Sequence, residues 1–290
     1  MRFFGRFLFC WGLTACLIPV AAAQSRPEAP GGGANGVHVR VSGEVATPGI
    51  HWLPKGLTLR QLLLQAGGFL PAAHPFGIQL RRQREAQRQQ DDLDAWSEHL
   101  VLYSQVKDGR NLRHSPYDHE TTMQRFRAQH EFIVRLSRAR AGGRIVLDID
   151  PEAAKIEQLP EFPLEEGDSL HVPARSREIR LIGEDGFDGD FALSGPVRTA
   201  DLLDQLETPV ADWSQKAVFV LLANGRVLKY VPGKPTTELV RPGDLIVLGA
   251  DIGKFALDPK MRTWTELLYP RAIQFTGAAI VGPSNAPLER

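Results

Sequence analysis

Only two cysteines occur in 290 residues, Cys10 and Cys16. Both fall within the first 23 residues, so a chain cleaved after Ala23 has none. That excludes cysteine nucleophiles, thiolate zinc sites and iron–sulfur ligation, and leaves core packing alone to hold an exported fold. A basic excess is also missing, since 34 Lys and Arg stand against 34 Asp and Glu. A balanced chain lacks the electrostatic footprint expected for nucleic acid or an anionic membrane surface. After the first 23 residues, no apolar run approaches the ~18–20 residues of a spanning helix; residues 275–282 are the longest candidate. Gly-x-Ser-x-Gly, His-Glu-x-x-His and P-loop patterns are absent too. The chain offers no cofactor or metal signature, and a non-enzymatic protein is the expectation.

What is present begins with a leader. Arg2 and Arg6 precede an apolar stretch over residues 7–20 and the small residues Ala21, Ala22 and Ala23. This is the pattern of a signal peptide over residues 1–23, and it places the product in the periplasm. Leu13-Thr14-Ala15-Cys16 offers the alternative of a lipoprotein anchored through Cys16. Residues 24–36, with Pro27, Pro30 and three consecutive glycines, read as a linker.

The remainder is written twice. A shift of 140 residues lays Gly43-Glu44 on Gly183-Glu184, Leu62-Leu63 on Leu202-Leu203, and Leu80 on Val220. The offset then drops to 82, laying Gly143-Arg144 on Gly225-Arg226, and to 76, laying Gly167-Asp168 on Gly243-Asp244. The first copy is thus longer by 58 residues between Leu80 and Gly143. Each copy is one structural unit, and the 58 residues are an insert.

Within a copy, Val37, Val39 and Val41 alternate with His38 and Arg40, the period of a half-buried strand. Pro48-Gly49 turns the chain into a second strand. Thr58 and Gln61 form a capping box ahead of a short helix with Leu59, Leu62 and Leu63 on one face, and Gly67-Gly68 ends it. Later strands follow, and in the second copy two of them are joined by Ala223-Asn224-Gly225, a strong hairpin signal. This order predicts an α+β fold. The insert shows two helical stripes: Leu93, Trp96, Leu100 and Tyr103, then Met123, Phe126, His130 and Ile133. Ser115-Pro116-Tyr117-Asp118 signals the start of the second helix. An insert at a hairpin tip should be a separable appendage, so that removing residues 84–140 leaves a folded domain. A final helix over residues 258–275 carries Met261, Trp264, Leu267 and Leu268, and Pro270 should kink or end it. It should dock on the second unit. Residues 282–290 read as a loose tail.

Val41-Ser42-Gly43-Glu44-Val45 through Pro48-Gly49, with Leu59-Arg60-Gln61-Leu62-Leu63 and Ala66-Gly67-Gly68, resembles the SLBB motif, a β-grasp module of bacterial polysaccharide export proteins. The second copy departs from it, with Asp188-Gly189 in place of Pro48-Gly49. Two units, a helical insert and a terminal amphipathic helix are together similar to the GfcC-like capsule biosynthesis proteins. The resemblance implies two tandem β-grasp domains, over residues 37–173 and 178–249. It also implies an accessory role in capsule or exopolysaccharide assembly, and no catalytic centre to carry over. The domain that precedes the grasp units in export lipoproteins is not expected here.

Arginines flank the insert. If its helices fold back on each other, Arg81, Arg127, Arg135 and Arg144 meet at its base and offer guanidinium forks to an acidic polysaccharide. Export machinery is the other expected partner. A solvated ion-pair face gives the same pattern, because residues 81–140 hold nine acids beside twelve Arg and Lys. Three other constellations are weaker. His114, Asp118, His119 and Glu120 fit no metal spacing, and Asp185, Asp188 and Asp190 miss that of a calcium loop. Asp148 and Asp150 could pair as the carboxylates of a glycan-acting enzyme, or simply face solvent while Ile145, Leu147 and Ile149 point inward. A small-ligand module of the same fold is a further alternative.

Overall fold

The computed structural model describes residues 36–111, 119–183, 188–205, 218–231, 239–248 and 259–281. The leader, the expected helix start at residues 115–118 and the tail lie outside them. Strands β1 (Gly36–Gly43), β2 (Gly49–Pro54), β3 (Gln79–Arg81), β4 (Arg144–Ile145) and β5 (Ser169–Val172) form one sheet in the order β2-β1-β5-β3-β4. Strands β6 (Glu178–Gly183), β7 (Asp188–Ala192), β9 (Val218–Leu221), β10 (Val227–Tyr230) and β12 (Leu245–Leu248) form another, ordered β7-β6-β12-β9-β10. In each, one pair is parallel and the other three antiparallel, the parallel pair being β1 with β5 and β6 with β12. Strand for strand, the two sheets share order and sense. A short pair, β8 (Val197–Arg198) with β11 (Leu239–Val240), stands apart.

Local chemistry accounts for these elements. Val39 and Val41 are buried while Arg40 is exposed, as period 2 requires. At the start of helix α1 (Leu59–Gln65), the Thr58 backbone N–H donates to Gln61 Oε1 at 2.8 Å. Gly43 is needed where β1 leaves β5. Its φ is +86°, and a Cβ there would lie 2.0 Å from the Val172 carbonyl oxygen. The repeated Gly-Asp pairs build one turn twice. Asp168 accepts the Glu165 N–H at 2.8 Å, Asp244 accepts the Arg241 N–H at 2.8 Å, and both aspartates are buried.

Helices α2 (Gln83–Asn111) and α3 (His119–Arg138) leave from β3 and return to β4, which pair at Leu80↔Ile145 and Arg81↔Arg144. Beyond Ile145 the chain stays unpaired, yet Leu147 and Ile149 are buried and Asp148 and Asp150 exposed. The insert is not an appendage. Leu93, Leu100, Phe132, Ile133 and Leu136 pack with Phe219, Leu221 and Val247 of the second sheet and with helix α5 (Pro259–Thr276). Helix α4 (Thr199–Gln205) and α1 instead pack on the inner sheet faces, which share a first core.

Two stripes differ from expectation. On α3 His130 is exposed, and Phe132, Ile133 and Leu136 are buried, as is Ala139 just past its end. On α5 Leu267 is 66% exposed, and Leu268, Tyr269, Ala272, Ile273 and Phe275 turn inward. The side chains of Met123, Phe126, Met261 and Trp264 lie outside the described residues. Ile133 and Leu268 are buried as expected, and α5 packs between the insert and the second sheet. Tyr269 stacks with Phe132 at 5.5 Å and meets Phe219 at 5.3 Å, and Phe275 stacks on Trp96 at 5.7 Å. Pro270 neither ends nor interrupts α5.

Candidate functional site

The base of the insert is also where the two units meet. The β9–β10 turn is closed by the Leu222 N–H donating to the Arg226 carbonyl at 2.8 Å, with Gly225 at φ +93°. Its tip reaches the first unit. Asn224 is buried, with its Nδ2 3.5 Å from the Leu147 carbonyl oxygen, and the Arg144 guanidinium donates to the Ala223 carbonyl. A Cβ on Gly225 would stand 2.8 Å from Arg144 Nε, so glycine lets the turn close over this arginine. Burial, reinforced by the charge of Arg81 across the strand, lowers the Arg144 guanidinium to about 10. It remains a cation at neutral pH.

Ala223 links Arg144 to an acid. Its N–H donates to Asp244 at 2.7 Å while its carbonyl accepts from Arg144. Burial pushes the Asp244 carboxyl up to about 6, against the lowering effect of its backbone donors and of Arg241. Arg144 and Asp244 line a cleft of about 390 Å³ together with His74, Glu178, Arg180 and Asp190. Burial, with Arg175 nearby, lowers the His74 imidazole, which favours the neutral ring. Arg180 is held bidentately by Asp188 at 2.7 and 2.9 Å. The cleft therefore mixes both signs, with one partly buried cation held by a carbonyl.

The four arginines singled out above separate. Arg81 and Arg144 are neighbours across β3 and β4. Arg135 is half-buried in the last turns of α3. Arg127 is exposed eleven residues before the end of that helix, which is ~16 Å at 1.5 Å per residue. Other arginines at the insert are bound in ion pairs. Arg82 grips the buried Asp168 with two bonds of 2.9 Å and Glu165 with one of 2.7 Å, Arg84 reaches Glu165, and Arg88 reaches Glu85 and Asp92. For these three, the ion-pair reading holds.

Asp148 and Asp150 border a second cleft of about 540 Å³ with Arg226 and Arg241. Both are exposed, and Asp150 Oδ1 accepts the Glu152 N–H at 2.8 Å. His114, Asp118 and Asp185 lie outside the described residues, as do the side chains of His119 and Glu120. Among the described residues no cluster of three or more His, Asp or Glu could hold a metal ion, and no helix is long and apolar enough to cross a membrane. Sequence reasoning missed Asp244 as part of this cleft. Its signal was the repeated Gly-Asp pair, which marks a turn without saying what lies beside it.

Residues 38–91 match the family model of the SLBB domain, a span from β1 into the first turns of α2. No curated protein matches the chain.

Proposed function

We propose that this chain is an extracytoplasmic, non-enzymatic accessory protein of capsule or exopolysaccharide assembly or export. In this reading it is two tandem β-grasp units of the GfcC-like kind, the first carrying the helical insert. Its partners are an acidic polysaccharide, the export machinery, or both, and Arg81 and Arg144 are its binding residues. The observation that carries this is the SLBB match over residues 38–91, on a unit whose strand order recurs in the second half. Fold alone does not assign function; what supports binding at the site is that Arg144 donates to the Ala223 carbonyl and Arg81 to the Gln79 side-chain amide, so neither charge is neutralised by a described acid.

Fractionation with N-terminal sequencing tests the location. Release with the periplasmic contents, starting at Gln24, is expected. A lipid-modified form starting at Cys16 would make it an anchored protein of the same compartment, and retention of the uncleaved chain in the cytoplasm would overturn the reading. Crosslinking in envelope extracts should recover glycan or export components. The enzyme alternative is tested by Asp148→Asn with Asp150→Asn, which should leave polymer length unchanged; loss of a turnover activity would refute the non-enzymatic assignment.

A further inference from the structure

The two sheets bury equivalent inner faces and differ on the outer ones. In the second sheet the outer positions Phe219, Leu221, Leu245 and Val247 are apolar and lie under the insert and α5. At the repeat offsets, the first sheet has Gln79, Arg81, Ser169 and His171. No described helix covers them, and Arg81 and His171 are exposed. One duplicated unit thus became a covered scaffold and the other kept an open polar face.

Register lays out what that face presents. Arg40 pairs with Ser169, Ser169 with Arg81, and Arg81 with Arg144, so one row crosses β1, β5, β3 and β4. Neighbouring strands lie about 4.8 Å apart, which spreads the three guanidinium stems along about 15 Å. Like charges opposite one another across strands are destabilising. None of the three arginines forms an ion pair with a described residue: Arg81 donates to Gln79 Oε1 at 3.1 Å and Arg144 to the Ala223 carbonyl. By contrast, Arg180, which stands at the repeat position of Arg40, is neutralised by Asp188. Glu166, beside β1, is taken by His38, accepting its N–H at 2.7 Å and facing its ring at 3.3 Å. Glu178, Asp190 and Asp244 line the cleft beyond Arg144 and do not pair with it.

We infer that the open face of the first sheet, where Arg40 and Arg81 are exposed and Arg144 closes the row beneath the β9–β10 turn, binds the carboxylates of an acidic polysaccharide through Arg40 and Arg81, a claim that rests on the function proposed above. Guanidinium forks match carboxylates bidentately, and Ser42, Ser169 and Gln79 between them offer hydroxyl and amide partners for sugar hydroxyls. An open polar sheet face suits an extended polymer. Ile50 at the edge is the one large apolar side chain of this face that is exposed, too little to seat a membrane.

The purified protein is titrated with a polyuronate, with neutral dextran, and with vesicles containing anionic phospholipid. Arg40→Gln with Arg81→Gln should weaken polyuronate binding about tenfold or more, while the Lys pair retains part of it and Arg127→Gln none of the loss. Thermal unfolding of the double Gln variant should not fall, since an uncompensated like-charge contact is removed. Polyuronate binding that survives both Gln substitutions overturns this face and leaves a glycan-binding role standing. Wild-type protein that binds neither polymer overturns both. Binding confined to anionic vesicles and lost in the Gln pair assigns the face to a membrane and also overturns the inference.

Discussion

Arg81 and Arg82 are adjacent in the chain and meet opposite surroundings. Arg81 points out of β3 toward solvent and another cation; the Arg82 side chain is 10% exposed and locked on Asp168, which is wholly buried. Removing one partner of a buried pair leaves an uncompensated charge, at about 3–5 kcal/mol. Arg82→Gln should therefore lower denaturant stability by several kcal/mol, whereas Arg81→Gln should leave it level or slightly raised. Equal losses in urea titrations of the two variants would contradict this. Asp244 predicts a pH effect. Its folded carboxyl sits at about 6 against an ordinary 3.8, so between those values the native state holds more protons than the unfolded one. Stability then falls as pH rises from about 4 to about 6, and is flat on either side. Asp244→Asn removes the titration and leaves one backbone N–H facing an amide, costing about 1–3 kcal/mol. The wild-type minus variant difference in unfolding free energy, measured across pH 3–8, should show that slope; a flat difference would refute it. None of this was visible from composition, because Arg82 and Asp168 are 86 residues apart.

At the scale of elements, the insert and α5 behave as core. Phe275 accepts the Gly142 N–H at 2.8 Å, tying the end of α5 to the base of the insert, and both cover the apolar outer face of β9 and β12. Replacing residues 84–140 by an Asn-Gly turn should abolish cooperative unfolding. Each Leu- or Phe-sized side chain it uncovers gives up ~1.5–3 kcal/mol of burial, and Phe219, Leu221, Val247 and Tyr269 would all be uncovered in part. Retention of a single sharp calorimetric transition would restore the appendage reading. Helical periodicity showed that α2, α3 and α5 each have an apolar side. It did not say which sheet those sides meet, and it misplaced Leu267 and His130 because one residue's rotation moves a position by 100°.

For the whole molecule, one strand order is used twice with unlike outer faces. That of the second sheet is covered by the insert and α5, and that of the first is polar and uncovered by any described helix. Residues acting over short distances were legible in the chain itself. Alternating valines set the face of β1, Thr58 and Gln61 set a helix start, and Gly225 and Gly43 set turns whose positive φ favours glycine. From these the repeat, its succession of elements along the chain and the place of the insert could be read. What only the tertiary structure decided was which surfaces are covered and which charges meet. Arg144 beneath Ala223, Arg82 on Asp168 and the row from Arg40 to Arg144 each join strands far apart in sequence. Strand pairing and core packing bring such residues within the few ångströms over which ion pairs and desolvation act, and no local pattern encodes that distance.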